Sequence, residues 1–257
     1  MVDISGADRA VAGALLDLPG MVAVSLGGSR ALGLTDRVSD TDLYAWYRGT
    51  LAPAARRRDA LAGLADDEIR SYEVFGPEDH WHVDGQLVEV VYIDLDVIER
   101  QAAQARTEGL GGEVCATAFL HTAYASLPIE DPYSVLAGLK RDLATYPEAT
   151  RARQLAELPM MAEEFASQLR TAQGREDWPM VVRRRAGLLD VTASLVFALN
   201  RRYHPGEKRL LVHLGQCELL PDRLVQRLRS ACLADSDDPS LATRFVGLIA
   251  EIVALYG

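Results

Sequence analysis

A change in hydrophobic period near residue 94 constrains the fold of this 257-residue chain more than any other feature. Before that point, short apolar or alternating runs between turn residues predict strands at 21–26, 39–48, 69–75, 80–83 and 86–93. After it, apolar residues recur at helical spacing, which predicts helices at 94–106, 113–125, 134–145, 148–173, 178–203, 221–233 and 239–255. We therefore predict an α+β protein: an amino-terminal α/β unit, with a mixed sheet flanked by helices, followed by a carboxy-terminal helical bundle.

The same patterns predict two domains, residues 1–108 and 109–257, with a ligand cleft between them. Within the first domain, Asp84-Gly85 joins the last two predicted strands. A two-residue Asp-Gly connection between apolar runs is a strong signal for a β-hairpin. We therefore expect those strands to pair antiparallel.

Charge is distributed unevenly along the chain, whose formal net charge is −10. Residues 1–110 hold 10 arginines and 19 acidic side chains, whereas residues 111–257 are nearly balanced. A groove that binds nucleic acid through its phosphates normally has a basic excess, so a template-directed polymerase is disfavoured and no nucleic-acid partner is expected. An acidic amino-terminal half instead suits metal ions or a cationic small molecule.

Cysteine usage and hydropathy indicate a cytoplasmic protein that has no membrane segment. Cys115, Cys217 and Cys232 are far apart and form no CxxC pair, so neither a disulfide framework nor a zinc site is expected. The first twenty residues carry charges throughout, and no uncharged apolar run reaches the length of a membrane span. The sequence leaves the oligomeric state open.

Residues 27–43 read GGSRALGLTDRVSDTDL and follow a predicted buried strand. Gly27 and Gly28 have no β-carbon, so the backbone can turn tightly and a ligand can approach its N–H groups. Ser29 adds a hydroxyl, and a helix start just beyond it favours an anion. The segment therefore predicts a phosphate-binding loop, although an ordinary surface loop is equally compatible with these three residues alone.

The two aspartates of the same segment, Asp40 and Asp42, share one face of a predicted strand, because side chains alternate along a strand. Two carboxylates this close repel each other unless a cation lies between them, and Mg²⁺ takes such oxygen ligands together with substrate phosphates. A solvated strand edge is the alternative for the aspartates considered alone. In combination with the preceding loop, they indicate a nucleotide site.

Two bridged metal ions need a third acid, and Glu89 is the best candidate. It lies inside an otherwise apolar strand, where a carboxylate is costly to bury unless it is paired or binds metal. The alternative is an edge strand with Glu89 in water. Asp94 and Asp96 form a rival pair, which we interpret as a helix cap. His80 and His82 share a strand face, and we interpret them as ordinary strand residues rather than metal ligands.

Gly28-Ser29, a ten-residue spacer and Asp40-Thr41-Asp42 together resemble the signature of the polymerase-β-like nucleotidyltransferase superfamily, over roughly residues 15–95. The resemblance implies that Asp40, Asp42 and Glu89 bind two Mg²⁺ ions. It also implies that Ser29 and the serine before the aspartates, Ser39, contact the triphosphate. Arg30 departs from the pattern, where a smaller or aromatic residue is expected.

The helical remainder is similar, at residues 126–147 and 198–211, to the bundles of aminoglycoside and lincosamide nucleotidyltransferases. Lys208 lies there in an arginine-rich break between predicted helices, which suits contact with phosphates. Tyr203 is a candidate for stacking on a nucleotide base. Cations that complement a helix dipole are the alternative, and they need no ligand.

We therefore predict a Mg²⁺-dependent nucleotidyltransferase that moves AMP from ATP, or the monophosphate of another nucleoside triphosphate, to a hydroxyl of a small molecule, with antibiotics among the candidates. Two metal ions would lower the pKa of the acceptor hydroxyl and neutralise the leaving pyrophosphate. Glu89 is expected as a metal ligand, as the base, or as both. The alternatives are an adenylyltransferase that acts on a protein or RNA partner and a nucleotide-binding sensor without chemistry.

Overall fold

The computed structural model describes residues 4–36, 39–74 and 76–256. The fold is α+β, as predicted, and the chain divides into two compact units. The first consists of Met1–Ala102 and Thr122–Thr145, and the second of Ala103–His121 and Tyr146–Gly257. The predicted boundary at 108/109 therefore differs from this division, because residues 122–145 return to the first unit.

A six-stranded mixed sheet forms the centre of the first unit, in the order β3-β4-β5-β2-β1-β6. Its strands are β1 (Met21–Leu26), β2 (Thr41–Tyr47), β3 (Arg70–Tyr72), β4 (Glu78–Val83), β5 (Gln86–Asp94) and β6 (Leu127–Glu130). β2 and β5 pair in parallel, and the other neighbours pair antiparallel.

The sequence pattern did not predict β6, which is four residues long and contains Pro128, a residue tolerated only at a sheet edge. The strand predicted at 69–75 is shorter than expected, and Phe75 lies outside the described residues.

The helices through residue 142 are α1 (Gly6–Leu16), α2 (Gly28–Ala31), α3 (Ala54–Leu61), α4 (Leu95–Thr107), α5 (Ala118–Ala125) and α6 (Val135–Asp142). Apolar residues of α1 and α3 pack with alternate residues of the central strands, among them Leu43, Trp81 and Val90, in one core cluster. The intervening strand residues, among them Asp42 and Glu89, are only partly buried and point to the opposite side. We call this second side the open face of the sheet.

Helices make up the second unit: α7 (Glu148–Gly174), α8 (Trp178–Leu199), α9 (Leu210–Leu214), α10 (Leu224–Leu233) and α11 (Leu241–Ala254). Their apolar sides form a separate core around residues such as Leu169, Val196 and Phe245. The short helix α9 was not predicted. No helix among the described residues has both the length and the apolar character needed to cross a membrane.

The hairpin predicted at Asp84-Gly85 is confirmed. Asp84 and Gly85 both have positive φ values, 52° and 74°, as a type I′ turn requires. Val83 is opposite Gln86, and the same register places His80 opposite Glu89. A local turn therefore decides which side chain lies beside the predicted third acid.

Candidate functional site

Four polar side chains lie in one row across the open face of the sheet. Asp42 on β2 is the register partner of Glu89 on β5, Glu89 is the partner of His80 on β4, and His80 is the partner of Arg70 on β3. Partners on adjacent strands have side chains on the same face and within reach of each other. The sheet thus places two acids, an imidazole and a guanidinium side by side.

Asp40, which immediately precedes β2, completes a cluster of three acids with Asp42 and Glu89. One carboxylate oxygen from each lies within 4.8 Å of those of the other two, and all three residues are partly buried. Three carboxylates at this spacing repel one another, and a divalent cation removes that repulsion. An all-oxygen donor set that is only partly buried fits Mg²⁺, which usually keeps several waters. We call these residues the acid triad.

The loop of Gly27, Gly28 and Ser29, hereafter the glycine loop, is pressed against the acid triad. Gly28 has φ of +55°, and a β-carbon there would lie 1.6 Å from an Asp42 carboxylate oxygen. A β-carbon at Gly27 would lie 2.1 Å from the ring of Tyr44. The Gly27 N–H donates to the backbone carbonyl of Asp42 at 2.8 Å. Glycine is therefore required at both positions for this close approach.

The Ser29 hydroxyl is available to a ligand. Its oxygen is buried and has no hydrogen-bond partner among the described residues. An unsatisfied buried hydroxyl is uncommon, because it loses its hydrogen bonds to water without replacement. Ser39 differs: its hydroxyl accepts from the Asp36 N–H at 2.8 Å and donates to the Asp36 carboxylate at 3.0 Å.

Arg30, which departs from the family pattern, has a structural role next to the loop. Its guanidinium donates to both carboxylate oxygens of Asp8, at 2.9 and 2.8 Å, and to the Thr41 hydroxyl at 3.1 Å. Burial opposes ionisation of Asp8, but hydrogen bonds from Arg30 and Ser5 outweigh it and hold the Asp8 pKa below its ordinary value. Arg30 thus ties the glycine loop to α1 and to the start of β2.

The sequence interpretation missed Tyr44, which follows Asp40 and Asp42 at the same two-residue spacing. Burial, together with the negative charge of Asp42, raises the pKa of Tyr44 to about 12, against a hydrogen bond from the Gly28 backbone. The phenol is therefore neutral near pH 7, and its ring supports the glycine loop. The alternation of the DTDLY segment was the signal that could have identified it.

His80 lies on β4 and outside the acid triad, but it contacts two carboxylates. Its Nδ1 lies 3.8 Å from Glu89 Oε1, and its Nε2 lies 3.2 Å from Glu78 Oε2. The ring packs against Tyr72, with 4.7 Å between ring centroids. His82, by contrast, pairs with the exposed carboxylate of Asp67 at 2.8 Å.

The rival acids Asp94 and Asp96 lie where a helix cap is expected. An Asp94 carboxylate oxygen accepts from the Asp96 N–H at 2.9 Å at the start of α4. This contact satisfies a backbone donor at the helix start, as a capping aspartate does.

The two candidates from the helical part, Lys208 and Tyr203, belong to the second unit. Lys208 is exposed, between α8 and α9. Tyr203 is only 6% exposed, and its ring packs on that of Tyr146 with 5.1 Å between centroids. This is the environment of a core residue, so the structure argues against the prediction that Tyr203 stacks on a nucleotide base.

Comparison with known proteins gives a partial family match and two distant structural similarities. Residues 106–210 match a family model described as a domain of unknown function, DUF4037. No curated protein matches the chain. A nucleotidyltransferase-like protein from Exiguobacterium sibiricum 255-15 is similar at 15% identity and a TM-score of 0.41, over 93% of this chain and 69% of that one. The E. coli MS115-1 CdnC:HORMA-deltaN complex is similar at 14% identity and a TM-score of 0.27, over 92% and 86% of the respective chains.

Proposed function

We propose that the protein is a Mg²⁺-dependent nucleotidyltransferase that moves AMP from ATP to a hydroxyl of a small molecule. The acid triad beside the glycine loop is the observation that carries this proposal. Gly28 is held against Asp42, so a triphosphate at the loop would have its phosphates next to the three carboxylates. A site for metal ions and a site for phosphates are thereby adjacent, as phosphoryl transfer requires.

The chain's own residues bind and orient the substrates. The unsatisfied Ser29 hydroxyl would donate to a phosphate oxygen, and Ser39 would join it by exchanging its contact with Asp36 for one with the triphosphate. Asp40, Asp42 and Glu89 would hold the metal ions, which, when bound, lower the pKa of the acceptor hydroxyl and neutralise the charge on the leaving group. The donor set fits that role because its three oxygens converge.

The reaction is an in-line displacement at the α-phosphorus of ATP. The acceptor oxygen forms a new bond to that phosphorus, and the bond from phosphorus to the pyrophosphate oxygen breaks with its electron pair leaving on pyrophosphate. The hydroxyl proton passes to a base, for which Glu89 is the proposed group because it is partly exposed on the open face. Glu89 thus serves the metal site, the proton transfer, or both.

We assign Lys208 to the β- and γ-phosphates, because it is one of only two lysines in the chain and its exposed side chain lies in an arginine-rich segment. Its ammonium group is a mobile point charge of the kind that binds phosphate. Tyr203 is left out of the proposed site because it is buried. A small-molecule acceptor, with antibiotics among the candidates, suits the acidic first unit better than a nucleic acid does.

Incubation with α-labelled ATP, Mg²⁺, a panel of aminoglycosides, lincosamides and other hydroxyl compounds, and cell extract tests the proposal. We expect one compound to gain the mass of a single AMP, with release of pyrophosphate. The matched control is Asp42→Asn, which has nearly the same shape but lacks the charge. Label on a protein or RNA of the extract would instead support those acceptors. MgATP binding without transfer to anything, water included, would support the sensor, and no MgATP binding would refute the proposal.

A further inference from the structure

Arg30, which directly follows the glycine loop, extends to the side of the sheet that is opposite the acid triad. Side chains alternate along β2, so Thr41 points away from the open face on which Asp42 lies, and it is buried. The Arg30 guanidinium donates to the Thr41 hydroxyl at 3.1 Å and to both carboxylate oxygens of Asp8 in α1. The guanidinium is therefore separated from the acid triad by β2 itself.

The glycine loop is attached to β2 on both sides of Ser29. On one side, the Gly27 N–H donates to the backbone carbonyl of Asp42 at 2.8 Å. On the other side, the Arg30 side chain holds Thr41, the residue that precedes Asp42. The Ser29 hydroxyl, which is buried and has no hydrogen-bond partner among the described residues, lies between these two attachments. Together they determine how far this hydroxyl lies from the acid triad.

Asp8 gives Arg30 a fixed anchor in α1. The Asp8 carboxylate is 5% exposed and accepts from the Ser5 N–H at 2.7 Å, while the Asp8 N–H donates to the Ser5 hydroxyl at 3.1 Å. These two bonds form the capping box at the start of α1, so they hold the carboxylate in one orientation. Two parallel bonds from a guanidinium to a carboxylate then fix the orientation of the Arg30 side chain as well.

We propose that Arg30 is a positioning residue for AMP transfer: by joining Asp8 to Thr41, it holds the Ser29 hydroxyl at the distance from the acid triad that lets both contact one triphosphate. Arg30 acts through the loop and through Thr41, from the opposite side of β2, and not by touching the reacting atoms. Its loss should therefore affect turnover more than binding, because misplacing a catalytic group by about 1 Å can cost about 100-fold in rate. The inference rests on the proposed function.

Two substitutions weaken this link without removing an acid or Ser29. Thr41→Val removes the hydroxyl that Arg30 contacts, while valine keeps the branched shape that suits a strand and Arg30 keeps its ion pair with Asp8. Arg30→Lys keeps the positive charge beside Asp8, but an ammonium group lacks the planar fork that binds a carboxylate bidentately. Thr41→Ser is the matched control, because it keeps the hydroxyl and loses only a methyl group.

Turnover, MgATP affinity and hydrogen exchange of the loop are the three measurements. Thr41→Val and Arg30→Lys should transfer AMP at least about 10-fold more slowly than wild type. Their MgATP affinity in calorimetry should stay within about threefold, because the groups that bind MgATP are retained. Without nucleotide, amides of residues 27–34 should exchange faster in both variants, since the Leu34 N–H bond to the Ser29 carbonyl opens when the loop moves, whereas α3 should exchange as in wild type. Thr41→Ser should resemble wild type throughout.

Three results would overturn the inference: wild-type turnover in Thr41→Val, an equal loss of turnover in Thr41→Ser, or unchanged loop exchange in both weakened variants. Equal acceleration of exchange in the loop and in α3 would also contradict it, because Arg30 would then stabilise the whole unit. A loss of MgATP affinity as large as in Asp42→Asn would mean that Arg30 serves binding and not positioning.

Failure of the proposed function itself is recognised separately, because the wild type would then neither bind MgATP nor transfer AMP to any acceptor. The exchange measurement needs no nucleotide, so it would still decide whether Arg30 fixes the loop.

Discussion

Alanine at Gly28 should disable the acid triad although none of the three acids is substituted. The backbone at Gly28 has φ of +55°, and the added β-carbon would lie 1.6 Å from an Asp42 carboxylate oxygen. Either the loop or the Asp42 side chain must therefore move. The Gly27 N–H donates a hydrogen bond to the Asp42 backbone carbonyl, which holds the loop close to β2. We therefore expect the Asp42 side chain to rotate away from Asp40 and Glu89.

Gly33→Ala is the control that measures the free-energy cost of a left-handed alanine without a collision between its β-carbon and a side chain. Gly33 also has a positive φ, +68°, but a β-carbon added there would have nothing within 4 Å. Left-handed backbone costs an alanine roughly 1–2 kcal/mol, which lowers Tm by roughly 2–8 °C in a chain of this size. Gly28→Ala has the same cost, plus roughly 0.5–1.5 kcal/mol for an off-rotamer Asp42.

Gly28→Ala and Gly33→Ala should differ far more in turnover than in thermal stability. Misplacing a catalytic group by about 1 Å can cost about 100-fold in rate, so Gly28→Ala should lose at least that much turnover, whereas Gly33→Ala should keep most of it. Thermal unfolding with and without MgATP, and AMP transfer to the acceptor found in the panel, measure both effects. If Gly28→Ala and Gly33→Ala have equal turnover and equal MgATP stabilisation, the close approach of loop and carboxylate has no functional role.

Asp42→Asn should leave the ligand-free Tm equal or higher, because one repelling charge is removed, and should reduce the stabilisation by MgATP; unchanged stabilisation in thermal scans would contradict the metal role. Glu89→Gln should slow transfer by roughly 100-fold with a far smaller change in MgATP affinity, and a variant with most of its turnover would assign the proton transfer to another group. Asp8→Asn should destabilise the chain near neutral pH. Because the Asp8 pKa is lowered in the folded state, the ion pair of Asp8 with Arg30 stabilises the fold fully above the ordinary aspartate pKa, about 3.9. This stabilisation is lost as the pH falls through the lower pKa of the folded state. If denaturant unfolding gives a difference in unfolding free energy between wild type and variant that does not change with pH, this reasoning is refuted. Lys208→Ala should weaken ATP binding without changing acceptor choice, and the opposite outcome in binding and transfer assays would place Lys208 at the acceptor.

Local spacing was enough to identify the glycine loop and the two aspartates. The strand rule that side chains alternate is independent of tertiary context, so Asp40 and Asp42 had to share a face once that segment was extended. The same rule, applied two residues further, would have included Tyr44. The hairpin at Asp84-Gly85 was equally local, because a two-residue turn determines its own register.

That register contained information which the sequence interpretation did not use. Counting three residues back from Val83 and three forward from Gln86 pairs His80 with Glu89. The hairpin pattern alone was therefore enough to place His80 beside the third acid. Cross-strand neighbours are set by register and not by distance along the chain, so such a pair is found by counting from the turn.

The sequence by itself determined the α+β class, the glycine loop, the pair of aspartates and the hairpin, since each depends on residues a few positions apart. Only the tertiary structure decided that β5 pairs in parallel with β2, which places Glu89 beside Asp42, and that residues 127–130 join the edge of the sheet as β6. It also decided that Arg30 binds Asp8. These contacts join distant segments, and their free energy comes from packing and pairing that no local pattern of residues encodes.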